Sequence, residues 1–259
     1  MAITSFSYAI LRSAFENGLL PKAQSILEFG EANWYGDVPV EALHQDIKNF
    51  VKSDEERNNL ERQLGEYLTM DAGHLSFGLA KIFYGIFFGN NNSIAIDFHG
   101  TENCLKLDLN APLEMTEQFD VTINNGTAEH IFNSGQFFTT MHQTTKPGGL
   151  MMHEGPMIKG WVDHGFVNFQ PTLFYDLADA NGYKVELFCM GGIDPLVAHL
   201  FESREDILKF VEQKELPDNT VFLVLLRKAA TETDFVFPIQ GYYADSISED
   251  ARTAWKNLR

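Results

Sequence analysis

Cysteine is nearly absent from this chain: Cys104 and Cys189 are the only two in 259 residues. Two isolated cysteines build no disulfide framework and suit a reducing compartment, so the sequence predicts a cytoplasmic protein whose thiols are inert core. Basic residues are scarce too, 19 against 36 acidic ones, for a formal net charge of −17. A field of that sign repels phosphate backbones, and no lysine/arginine cluster offsets it locally, so nucleic acid is excluded as a principal partner. The apolar stretch Leu79–Phe88 falls well short of the ~20 residues that cross a bilayer. Met1–Leu20 has no basic segment followed by a continuous apolar one, so neither membrane anchor nor leader is expected. Repeats, low-complexity tracts and obvious linkers are also missing.

Hydrophobic residues make up 44% of the chain and charged residues 21%. That is enough to bury a core, and one domain over 1–259 is expected. Helical periodicity runs over 5–19, with Tyr8, Leu11, Ala14 and Phe15 on one face. A short apolar strand, 25–29, ends at Gly30. Two helical stripes follow, Leu43/Ile47/Phe50/Val51 and Leu60/Leu64/Tyr67/Leu68, separated by the capping-box spacing of Ser53–Glu56. Residues 75–88 read as a buried helix. The helical stretch 40–90 exceeds a simple crossover and is expected to be an insertion or lid. Strands are expected at 93–97, 105–108, 119–123, 150–153, 184–189 and 220–226. Helices are expected at 134–145, stopped by Lys146-Pro-Gly-Gly149, at 171–181 between Pro171 and Gly182, and at 203–214. Residues 245–259 read as a peripheral helix held by Trp255. Strands alternating with helices predict an α/β fold, a mostly parallel sheet covered on both faces.

In such sheets ligands bind beyond the carboxyl ends of the strands. Here those ends carry a consistent set of residues. Glu28 and Gly30, followed by Glu31, end the first strand; Asp97 ends the second; Asp108 ends the third; Asn125 and Gly126 end the fourth. S-adenosylmethionine asks for such groups: close backbone approach for its amino-acid end, a carboxylate for the ribose diol, an acceptor for the adenine amine, and an acidic or aromatic wall beside its sulfonium.

Three segments carry a family resemblance: Asp108-Leu-Asn110, Asn125-Gly-Thr-Ala-Glu-His130 and His164-Gly-Phe-Val-Asn-Phe-Gln-Pro171. With Asp176–Gly182 they make the chain resemble the class I S-adenosylmethionine-dependent methyltransferases over roughly residues 20–230, and a bacterial subgroup of them most of all. The resemblance implies a Rossmann-like seven-stranded sheet with an antiparallel last strand. It also implies S-adenosylmethionine as cofactor, with Leu109 joining Glu28, Gly30, Glu31, Asp97, Asp108, Asn125 and Gly126 around it. The sequence departs from that family at the first turn, Glu28–Gly36, which offers only Gly30 and Gly36. A G-x-G-x-x-G turn is absent, which disfavours a pyrophosphate-binding dehydrogenase.

Methyl transfer needs positioning and, for a hydroxyl acceptor, a base. His130, just beyond Gly126, is the candidate base. Glu129, His153, His164 and Phe166 are candidates for the acceptor pocket. No H-E-x-x-H or comparable spacing appears, so no metal is expected, and no G-x-S-x-G elbow marks a hydrolase. The function expected is methyl transfer to a small-molecule or carbohydrate-like acceptor. The competing expectation, from the glycine-poor turn, is a non-catalytic fold-mate that binds a nucleoside or a partner protein.

Overall fold

The computed structural model describes residues 2–158, 161–244 and 247–258. Its first elements are a short parallel pair, β1 (Ala2–Ile3) with β3 (Asn33–Trp34), flanking helix α1 (Ser5–Glu16) and strand β2 (Ile26–Phe29). Helices α2 (Val40–Phe50), α3 (Asp54–Tyr67) and α4 (Ala72–Phe87) precede β4 (Ile94–Ile96) and β5 (Phe119–Asn125). Then come α5 (Ser134–Thr144), β6 (Thr145–Ile158), α6 (Pro171–Asn181), β7 (Lys184–Gly192), β8 (Val197–Phe201), α7 (Arg204–Gln213), β9 (Thr220–Arg227) and α8 (Glu249–Asn257).

One seven-stranded sheet runs in the order β4-β2-β5-β6-β9-β7-β8. The four strands from β4 to β6 are mutually parallel; β9 is antiparallel to both β6 and β7, and β8 is antiparallel to β7. This is the expected mostly parallel α/β sheet with its last strand, β9, reversed; the edge strand β8 is reversed as well. The pleat sends alternate residues to opposite layers. Val121, Ile123, Leu150, Met152, Leu223 and Leu225 meet the core of α1, α2 and α4. Leu27, Phe29, Met151, Val224 and Leu226 meet the core of α5, α6 and α7.

Several expectations are corrected. Residues 105–108 are no strand: Leu105 makes a single parallel bridge to Ile96, and Leu105 to Asp108 are all exposed. An edge segment with no covering helix has nothing to bury, and its pairing stops after one bridge. The seventh place in the sheet falls instead to β8, whose half-exposed alternation gave a weak strand signal. The expected stop of the helix holds: α5 ends at Thr144 and passes directly into β6 at Thr145, with Lys146-Pro-Gly-Gly149 already in the strand. The buried Lys228 ammonium closes that junction, donating to the His142 and Thr145 carbonyls at 2.9 Å each, the groups a helix C-terminus leaves unpaired.

The helical stretch after β2 is present, and its stripes Leu43, Ile47, Leu60 and Leu64 pack into the same core as Phe83 and Phe87 of α4. Ser53 caps α3 through the Glu56 N–H at 3.3 Å. Gly182 ends α6 in the left-handed conformation, φ 65°. Trp255 of α8 stacks on Tyr242 with ring centroids 4.2 Å apart; Asp245 and Arg259, the ends of the expected peripheral segment, lie outside the described residues. No helix among the described residues is long and apolar enough to cross a membrane.

Candidate functional site

Carboxylates build the turn after β2. Glu28 is fully buried on the α4 face, where Lys81 and Ser93 donate to one oxygen; the Tyr84 hydroxyl, at 3.3 Å, and the Ala32 N–H, at 2.9 Å, donate to the other. Burial, then the Glu28 charge, pushes the Tyr84 phenol far up. Gly30 takes a φ of 86°, open to glycine at little cost, and its N–H reaches the Ile96 carbonyl at 2.8 Å. Asp97 grips the same turn from β4: it accepts from Glu31 N at 3.0 Å, His99 N at 2.8 Å and Gly100 N at 3.0 Å. Glu31 is buried and accepts from the Thr101 N–H at 2.7 Å, the Thr101 hydroxyl at 3.1 Å and the Cys104 thiol at 3.1 Å. Burial, then the bond to Glu31, lifts the Cys104 thiol to about 11, and burial lifts Cys189 to about 12. Neither is a thiolate at neutral pH.

The β5 end is shaped by Asn124. Its side-chain oxygen accepts from Thr127 N at 3.1 Å and Ala128 N at 3.0 Å, while the Thr127 hydroxyl donates to the Phe29 carbonyl at the end of β2. The two parallel strand ends are thereby tied together. Gly126, φ 75°, makes the turn and donates its N–H to the Glu154 carbonyl at 2.9 Å. Asn125 points to the opposite layer, buried, and its amide nitrogen has no partner.

Beyond Gly126 a short 3-10 turn, Ala128–His130, turns Glu129 inward and His130 outward. The Glu129 side chain is 2% exposed, and its Oε2 has no hydrogen-bond partner. Gly165 admits it: a Cβ there would lie 2.8 Å from the Glu129 carbonyl oxygen and 3.2 Å from the Glu129 Cγ. Burial raises the Glu129 carboxyl to about 7. The Nε2 atoms of His130 and His164 stand 3.9 and 3.8 Å from Oε1. Burial, then the neighbouring His164, lowers the His130 pKa, so its imidazole is neutral near pH 7. His164 also meets the Trp161 ring edge-on at 4.9 Å. Phe166 is exposed, packs edge-on against Phe132 at 5.8 Å, and donates its N–H to the Glu129 carbonyl at 2.8 Å.

His153 and Glu154, adjacent on β6, face opposite layers. His153 is in the core between Phe138 and Phe174, both 5.4 Å away, and burial drives its pKa down to about 3. Glu154 stands beside Asn125 in register and accepts from the Ser7 hydroxyl of α1 at 2.9 Å. Its Oε2 is unpartnered, and burial raises its pKa to about 8.

The structure thus brings Gly30, Glu31 and Asp97 together at one turn, and Gly126, Glu129, His130, His164 and Phe166 at the next. Glu28 lies beneath the first turn. Asp108 stands apart: exposed, it folds back on the N–H and amide of Asn110, at 2.9 Å each, which lowers its pKa. It lines a cleft of about 610 Å³ with Leu107 and residues 111–117, to which Asp97 does not contribute, and Leu109 is buried beside it. Sequence reasoning missed Lys81, Ser7 and the organising role of Asn124. Lys81 looks like a solvent-facing residue on an apolar helix, and Ser7 is one hydroxyl in an amphipathic one. Asn124 carried a signal, as a polar residue inside a β-branched strand.

No family model and no curated protein matches the sequence. Solved structures that match include methyltransferases. The N-methyltransferase NodS from Bradyrhizobium japonicum WM9 is 11% identical over 86% of this chain and 94% of its own, TM-score 0.44. A SAM-dependent methyltransferase from Archaeoglobus fulgidus is 12% identical over 85% and 93%, TM-score 0.43. An O-methyltransferase from a trans-AT PKS multienzyme of Brevibacillus brevis, in complex with S-adenosyl-L-homocysteine, is 12% identical over 92% and 78%, TM-score 0.35.

Proposed function

We propose that this chain binds S-adenosylmethionine across the carboxyl ends of β2, β4 and β5 and transfers its methyl group to a small-molecule or carbohydrate-like acceptor. The observation that carries this reading is the pair of glycine turns, at Gly30 and Gly126, on adjacent parallel strands with an acid at the end of the neighbouring strand. Asp97, Glu31 and the backbone of Gly30, Asn125 and Gly126 would meet the cofactor; Asp108, which stands in a separate cleft, and the buried Leu109 are left out of this set. Glu28 is a positioning residue in this account, acting through Ala32 N–H and Lys81.

The chemistry beyond the cofactor falls to Glu129, His130 and His164, flanked by Phe166. A neutral imidazole can take the proton of a hydroxyl acceptor, and general-base catalysis contributes about 10²–10⁴-fold. His130→Ala is expected to lower turnover on a hydroxyl acceptor by about 10²-fold while cofactor affinity is kept. An unchanged rate removes His130 from the chemistry.

A second reading, a non-catalytic protein of the same fold, is favoured by one observation: the carboxylates of Glu28, Glu31 and Asp97 are already engaged by protein donors. Thermal unfolding separates the two. A ligand at 100 times its dissociation constant stabilises the folded state by about 2.7 kcal/mol. Methyl transfer predicts a rise in Tm with both S-adenosylmethionine and its demethylated product; no shift at millimolar ligand supports the second reading.

A further inference from the structure

Glu129, His130 and His164 converge on one point: their donor atoms all lie within 4.8 Å of one another. From this convergence we infer that the three side chains hold a divalent first-row transition-metal ion. Glu129 is its buried anchor, the Nε2 atoms of His130 and His164 are its other ligands, and a position towards solvent is left for an oxygen donor. The inference goes beyond methyl transfer and does not depend on it. It also departs from the sequence expectation of no metal, because His164 reaches the site from a loop far along the chain.

The cluster is not a hydrogen-bonded triad. At 3.9 and 3.8 Å the imidazole nitrogens are too far from Glu129 Oε1 for direct hydrogen bonds. An ion with bonds of about 2.0–2.2 Å holds its donors about 3–3.5 Å apart, so the imidazoles, at 3.9 and 3.8 Å from Oε1 and within 4.8 Å of each other, must draw inward to bind it. Both imidazoles can close that gap, since their side chains are 46% and 39% exposed. Glu129 is buried, its side chain 2% exposed, and supplies the fixed end.

The carboxylate itself calls for a cation. Its Oε2 is buried with no donor, and among the described residues no lysine or arginine pairs with Glu129. A carboxylate buried away from any lysine or arginine is costly to ionise, and an ion bound at Oε1 offsets that cost. Two imidazoles and one carboxylate suit zinc, iron, cobalt or manganese rather than magnesium or calcium, which take oxygen ligands. An acceptor's hydroxyl or carboxylate oxygen would complete the coordination from the solvent side. As a ligand His130 would give up the base role proposed above, and the ion would supply that activation by lowering the pKa of a hydroxyl bound to it.

The test is spectroscopic and needs no turnover. Full-length protein without a polyhistidine tag is stripped with chelator and titrated with Co²⁺ in the absence of cofactor, following its visible d–d absorption. Zn²⁺ binding is measured in parallel by calorimetry. One saturable equivalent is expected. Loss of even an outer-shell partner costs a metal site roughly 10–100-fold, so His164→Ala, His130→Ala and Glu129→Gln should each weaken binding at least about tenfold. His44→Ala, at the α2 histidine that pairs with Glu61, should leave it unchanged. His164 lies on an exposed loop, so its variant keeps the fold, which circular dichroism verifies. No saturable equivalent in the parent protein, or binding that survives unchanged in the His130/His164 double alanine variant, overturns the inference. A Tm shift with S-adenosylmethionine alone bears only on methyl transfer.

Discussion

Lys81→Met is expected to destabilise the protein by about 3–5 kcal/mol, the cost of leaving one member of a buried ion pair without its partner. Glu28 has no exposure at all, and Lys81 and Ser93 donate to the same oxygen of it. Methionine fills the aliphatic part of the lysine but leaves the carboxylate charged, buried and short of a donor. Glu28→Gln in the Lys81→Met background removes that charge and should recover a large part of the loss, because two neutral partners are cheaper to bury than one stranded ion. The consequence reaches the site. Glu28 holds the Ala32 N–H, so Lys81→Met should also weaken any ligand seated on the Gly30 turn. Chemical denaturation with and without ligand measures both effects. A Lys81→Met variant as stable as the parent shows that Glu28 is not held by this pair.

The second large effect is a stability optimum in mildly acidic solution, set on its acid side by His153 and on its alkaline side by Glu154, with a smaller contribution of the same sign from Glu129. His153 is driven from its ordinary 6.5 to about 3 by burial. The unfolded chain therefore binds more protons than the folded one between those values, and stability falls as pH drops through 6.5 towards 3. Glu154 is raised from 4.5 to about 8 by burial. Here the folded chain binds more protons, so stability falls as pH rises from 4.5 towards 8. At about 1.4 kcal/mol per pKa unit, His153 and Glu154 each contribute at most about 5 kcal/mol. Tm should peak where the two windows overlap, between 4.5 and 6.5. Glu154→Gln should flatten the alkaline limb and His153→Leu the acid one. A Glu154→Gln profile parallel to the parent between pH 6 and 8 contradicts the assignment.

Both predictions concern residues whose type was visible in the sequence and whose partners were not. The strands at 26–29, 119–125, 184–192 and 220–227 announce themselves because β-branched and aromatic residues cluster where a sheet is covered on both faces. Edge segments give less away. Residues 105–108 look like a strand and lack a covering layer, whereas β8 looks like a loop and pairs over five residues. The site divides the same way. Acids at strand ends are legible as acids, but the groups that answer them come from elsewhere: Lys81 from α4 for Glu28, Thr101 for Glu31, Ser7 from α1 for Glu154. Spacing arguments find ligands that share a helix, as in H-E-x-x-H, and so pass over His164, which meets Glu129 only through the loop after β6. His153 illustrates the reverse error. It ends up among aromatic rings in the core, because the pleat sends it and Glu154 to different layers.

The most direct test is calorimetric titration of S-adenosylhomocysteine into the parent protein and into Asp97→Ala. The account predicts saturable binding of one equivalent to the parent, and binding weaker by about 1.5–3 kcal/mol in Asp97→Ala, the loss of hydrogen bonds to a charged group. Binding of equal strength in both proteins, or no saturable heat in the parent at millimolar ligand, would contradict it.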